Sequence, residues 1–160
     1  MSTVTNRKIL VVEDDKPKLN AIVNFLAEEL KISHVDTAKS LTSAIEKIAD
    51  NFYDMCIVDM SIPTYDFDVD KSGGGLPQSF GGKDILRFLQ SESELTKAIV
   101  ITQYSEFSDV DGSAQTLETL TAQLLRRFRS NLIAVLYYAS QKSDWRSKLR
   151  LAIIGEYGGN

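Results

Sequence analysis

At 160 residues the chain is long enough for one domain with a proper core, and its 43% hydrophobic and 25% charged content is ordinary for a globular fold. A net charge of −4 and a pI near 5.0 argue against a basic nucleic-acid-binding surface. No apolar stretch reaches the length of a membrane span and Met1–Asn6 has no signal-peptide pattern, so a cytoplasmic location is expected.

Five short apolar runs read as strands: Lys8–Val12, His34–Thr37, Met55–Val58, Ala98–Ile101 and Leu132–Tyr137. Helical periodicity fills the intervals. The first helix opens near Pro17, where a missing N–H costs nothing, and repeats Leu19, Ile22, Val23, Leu26 and Leu30 along one stripe. The second carries Leu41, Ala44, Ile45 and Ile48, with Ser40 as its expected cap. The third has Ile85, Leu86 and Leu89. The fourth, from Thr116 to about Arg129, repeats Leu117, Leu120, Leu124, Leu125 and Phe128. The last follows Ser143 with Trp145, Leu149, Ala152 and Ile153. Strands alternating with helices imply right-handed crossovers and a parallel sheet covered on both faces.

In such sheets the site lies at the carboxyl ends of the strands, where strand order reverses. Two predicted strands end in carboxylates: Glu13-Asp14-Asp15 follows the first and Asp59 the third, while Thr102 ends the fourth. Carboxylates a few ångströms apart oppose one another's ionisation. A hard oxygen-seeking cation such as Mg2+ relieves that repulsion and commonly bridges carboxylates to phosphate. Asp15 suits a helix cap instead. Cys56 is the single cysteine, inside an apolar run, and reads as a buried thiol. His34, the single histidine, stands on the second strand away from the acidic ends, so no separate acid/base candidate supports a phosphohydrolase, and no enzyme activity is expected.

With those ends placed, the chain resembles the receiver domain of bacterial two-component response regulators. The matching residues are Lys8-Ile9-Leu10-Val11-Val12-Glu13-Asp14-Asp15, then Ala38 and Ala44, then Tyr53-Asp54-Met55-Cys56-Ile57-Val58-Asp59-Met60-Ser61-Ile62-Pro63, Gly82 before Ile85-Leu86-Arg87, and Ile99-Val100-Ile101-Thr102. The resemblance implies a flavodoxin-like, doubly wound five-stranded parallel sheet of order 2-1-3-4-5 with helices on both faces, formed by residues 7–154. It makes Asp59 the phosphoacceptor and Thr102 the phosphoryl contact. Asp14, Asp59, Glu13 and the Ser61 backbone carbonyl become the ligands of Mg2+ or another divalent cation. A histidine kinase or histidine phosphotransfer protein is the implied donor. Output is expected through a protein partner or a homodimer, because 155–160 reads as a flexible tail with no output domain after it.

The chain departs from this family at several places. The family's fifth strand ends in a lysine whose ammonium pairs with the phosphoryl group; here Tyr138, or Tyr137, stands there, with Lys142 a candidate replacement if its loop folds back. A phenol supplies no positive charge. Gln103 and Tyr104 follow Thr102 where the family has a small residue, so crowding of the phosphoryl position is expected. Gly82 lies 23 positions after Asp59, leaving an insertion at 64–81 whose Asp66, Asp68 and Asp70 have calcium-loop spacing. Lys71 and Pro77 occupy the positions where such a loop needs its turn glycine and bidentate glutamate, which excludes that reading. The region 104–130 around the fourth helix is enlarged as well. These departures favour a second reading: a pseudo-receiver that serves as an interaction module without phosphorylation.

Overall fold

The computed structural model describes residues 4–65, 80–108, 113–139 and 144–158. The main sheet contains β1 (Lys8–Val12), β2 (His34–Ala38), β3 (Met55–Val58), β4 (Lys97–Thr102) and β7 (Leu132–Tyr137), all parallel, in the order β2-β1-β3-β4-β7. This is the expected flavodoxin-like order, the last sheet strand being seventh in the chain because a two-stranded antiparallel ribbon, β5 (Glu106–Ser108) and β6 (Ala114–Thr116), precedes it.

The central strands are apolar at every position because both faces are covered. Alternate residues feed opposite cores: Leu10, Val12, Cys56, Val58, Ala98 and Val100 face one way, and Ile9, Val11, Met55, Ile57, Ile99 and Ile101 the other. The first core is closed by α2 (Leu41–Asp50), α3 (Phe80–Glu92) and α4 (Leu117–Arg127), the second by α1 (Lys16–Glu28) and α5 (Asp144–Tyr157). β2 lies at the sheet edge, and its half-polar sequence follows from that partial exposure.

Helix starts follow local chemistry. Asp15 caps α1 by accepting from the Lys18 amide, with Pro17 in the first turn. Ser40 and Ser43 form a reciprocal capping box on α2, and the Thr116 hydroxyl caps α4. The polar stretch after Thr102 forms β5, which buries Phe107 in the first core. α5 continues through Tyr157, so residues 155–157 of the tail expected at 155–160 are helical. The reason is a specific dock: the Tyr157 hydroxyl donates to the Asp54 carbonyl at 2.7 Å, and Arg7 lies 4.4 Å over the ring. Residues 66–79 of the expected insertion, including the aspartates of calcium-loop spacing, lie outside the described residues, as does Lys142. Among the described residues no helix is long and apolar enough to cross a membrane.

Candidate functional site

β1 and β3 are neighbours, and the helices after them depart to opposite faces, so the gap beyond their carboxyl ends is the topological switch point. The Glu13 amide donates to the Ala38 carbonyl and the Asp59 amide to the Val12 carbonyl, which fixes both residues one step past their strands. Glu13, Asp14 and Asp59 thereby each bring a carboxylate oxygen within 4.8 Å of the others. Glu13 and Asp59 are buried, and Asp14 is half-buried. Burial and then the Asp59 charge push the Glu13 carboxyl up to about 7, with Lys18 opposing them.

That opposing charge was not anticipated from the sequence. Lys18, in the first turn of α1, is 1% exposed, and its ammonium lies inside the acidic cluster. It donates to the Ile101 carbonyl at 2.7 Å, to Gln103 Oε1 at 2.8 Å and to Asp59 Oδ1 at 3.2 Å. Those three acceptors account for its three hydrogens. Glu13 Oε1, only 2.7 Å away, is held by charge without an aligned hydrogen. Gln103 is therefore an acceptor for a buried cation as well as a bulky neighbour. Tyr138 reaches the same place from the end of β7, its ring centroid 5.7 Å from Lys18 Nζ. Tyr137 pairs with Thr102 in the sheet and turns its side chain largely to solvent.

Thr102 is fully buried at the end of β4, and its hydroxyl accepts from the Tyr104 amide at 3.3 Å. Ser61 lies two residues past Asp59, its hydroxyl oxygen buried without a hydrogen-bond partner among the described residues. Cys56 is internal, and burial pushes its thiol up to about 12, in keeping with a purely structural role.

The backbone after Asp59 is held by close packing on α3. The Gly82 amide donates to the Met60 carbonyl at 3.0 Å, and a Cβ on Gly82 would lie 2.6 Å from Met60 Cα and 2.8 Å from the Asp59 carbonyl oxygen. Those are backbone atoms, so a side chain here must displace the Asp59 loop. Gly82→Ala is expected to cost about 1–3 kcal/mol, read as an earlier denaturant midpoint. An unchanged midpoint would contradict the packing described.

A doubly wound sheet of this order thus places a carboxylate cluster at its switch point. Residues 9–68 match the response regulator receiver domain family. The chain is 25% identical over 145 residues to protein y4jR of Sinorhizobium fredii, covering 91% of this chain and 95% of that one. It is 20% identical over 143 residues to the Detocs response regulatory protein DtcB of Enterobacter cloacae, covering 89% and 95% respectively. In fold it is similar to a chain of the CheX–CheY–beryllofluoride–magnesium complex from Borrelia burgdorferi, with a TM-score of 0.66 at 14% identity, covering 94% of this chain and 88% of that one. The signal receiver domain of a LuxO repressor protein from Vibrio parahaemolyticus gives a TM-score of 0.62 at 15% identity, covering 92% and 90%. The chain is thus similar to the response regulator receiver family in sequence over residues 9–68, and to receiver domains in fold over nearly all its length.

Proposed function

We propose that this receiver accepts a phosphoryl group on Asp59 and passes the signal to a protein partner. The observation that carries this reading is the convergence of Glu13, Asp14 and Asp59 at the switch point. In the reaction, an Asp59 carboxylate oxygen forms a new bond to phosphorus as the bond from phosphorus to the donor breaks. The donor keeps that electron pair: acetyl phosphate leaves as acetate, and a phosphohistidine leaves as imidazole after taking a proton from solvent. The product is an acyl phosphate, which water can cleave to restore Asp59. Thr102, at the end of the adjacent strand, would give its hydroxyl to a phosphoryl oxygen.

The donor set suits a divalent cation. Glu13, Asp14 and Asp59 each offer a carboxylate oxygen within 4.8 Å of the others, and Glu13 Oε1 is ion-paired to the Lys18 ammonium at 2.7 Å. Glu13, Asp14, Asp59 and the Ser61 carbonyl would hold Mg2+, which supplies charge neutralisation and orientation of the transferring oxygens. A histidine kinase or histidine phosphotransfer protein fits as the natural donor, and a partner protein or a second copy of the chain as the receiver of the signal.

A phosphorylation-independent module is the second reading. One observation favours it: the Lys18 ammonium already offsets the cluster's charge without any added ion. Intact mass after incubation with Mg2+ and acetyl phosphate separates the two. The phosphoacceptor reading expects a phosphate adduct in the wild type, loss of the adduct in Asp59→Asn, and a rise in melting temperature with Mg2+ that Asp14→Ala abolishes. No adduct and no Mg2+ response in the wild type would leave the interaction module standing.

A further inference from the structure

Burying an ammonium costs several kcal/mol and is tolerated only where acceptors surround it. Lys18 meets that condition at one point of the molecule, between Asp59 Oδ1, Glu13 Oε1, the Ile101 carbonyl and Gln103 Oε1. Its stem is fixed by sequence: position 18 lies one helical turn before Ile22 and two before Leu26, on the face of α1 that packs on the sheet. The ammonium is consequently presented to the cluster by the helix itself.

A phosphoryl group on Asp59 would replace the single negative charge of the carboxylate with about 1.5 to 2 negative charges on the phosphoryl oxygens, beside this ammonium. The end of β7 supplies a phenol at the same place, Tyr138, which packs on Trp145 at 5.2 Å between ring centroids. We propose that Lys18 is the phosphoryl-contacting cation of this site, delivered from helix α1 rather than from the last strand of the sheet. The proposal rests on the phosphoacceptor reading of Asp59. Of the present acceptors, the Ile101 carbonyl is fixed in β4, and Asp59 is the residue that becomes modified. Gln103 is the neutral, half-buried side chain that can turn away, so its place on the ammonium is the one a phosphoryl oxygen takes.

The test compares initial rates of adduct formation from acetyl phosphate with Mg2+, by intact mass, in the wild type, Lys18→Gln, and Lys18→Gln combined with Tyr138→Lys. Lys18→Gln is expected to slow labelling by about a hundredfold. The added lysine, at the position 5.7 Å from the present ammonium, is expected to recover most of that loss. Labelling of folded Lys18→Gln at the wild-type rate would overturn the role of Lys18 and leave Asp59 as phosphoacceptor. Absence of an adduct in the wild type would overturn both. A second measurement needs no variant to fold: in wild-type protein with 15N-lysine, the exchange-protected signal of the buried ammonium should shift when Mg2+ and beryllofluoride bind. Bound beryllofluoride, verified by fluorine NMR, with an unmoved ammonium signal would overturn the contact.

Discussion

Lys18→Met in the presence of a chelator is expected to lose about 3–5 kcal/mol of folding stability, because it leaves two buried carboxylates without their cation. The length and apolar stem of the side chain are kept, so lost packing contributes little. Two controls separate charge from volume. Added Mg2+ should recover much of the loss, since a cation held among Glu13, Asp14 and Asp59, as proposed, would do the same electrostatic work. Glu13→Gln in the Lys18→Met background should recover part of it without metal, by removing one of the opposed charges. The pH dependence has a definite sign. Glu13 is raised from 4.5 to about 7, so the folded metal-free protein holds a proton that the unfolded chain releases. Its contribution to stability is therefore fully present below pH 4.5 and is lost as the pH rises through 7. Without Lys18 the opposing influence disappears and the loss extends to higher pH. Denaturant melts of the chelated variant should accordingly lie closer to wild type at pH 5 than at pH 8. Equal losses at both values, insensitive to Mg2+, would show that Lys18 matters only as packing.

The sheet was legible because its central strands are buried on both faces, which makes Ile9–Val12 and Met55–Val58 apolar at every position and bounds them with carboxylates. The parallel sheet followed from the alternation of strands and helices, its strand order from the family resemblance, and the strand-end position of Asp59 from the apolar run before it. The β5–β6 ribbon was not legible: each strand is three residues long, and only Phe107 and Gln115 are buried, too few for a period to show. The dock of Tyr157 was not legible either, because its anchor, the Asp54 carbonyl, is 103 residues away in sequence.

Lys18 was missed for a different reason. A lysine near a helix start reads as solvated, yet positions 18, 22 and 26 share the stripe that meets the sheet, and a charge on that stripe is a signal. Two departures seen in sequence, a missing strand-end lysine and a bulky residue after Thr102, meet at this one cation. Lys18 provides an ammonium, Gln103 gives it an acceptor, and Tyr138 fills the position left beside it. The site is thus internally consistent: the two departures and the buried ammonium make physical sense together.

Trp145→Ala should be the most damaging single truncation away from the carboxylates, costing about 3–5 kcal/mol. The indole is 1% exposed in the first turn of α5, with Phe25 of α1 at 5.8 Å and Tyr138 at 5.2 Å between centroids. Removing it opens a void against both the helix that carries Lys18 and the ring beside the ammonium. The loss should therefore be functional as well as thermodynamic, with slower acetyl phosphate labelling under conditions where the variant remains folded. Trp145→Phe provides the contrast. The indole Nε1 is buried without a hydrogen-bond partner among the described residues, so the smaller ring gives up volume while removing an unsatisfied donor. Those effects oppose one another, and a net cost below about 1.5 kcal/mol is expected, with labelling close to wild type. If Trp145→Ala labels as fast as the wild type while folded, the aromatic contacts from α5 through Tyr138 do not hold Lys18 in place, and the ammonium is positioned by α1 and Gln103 alone.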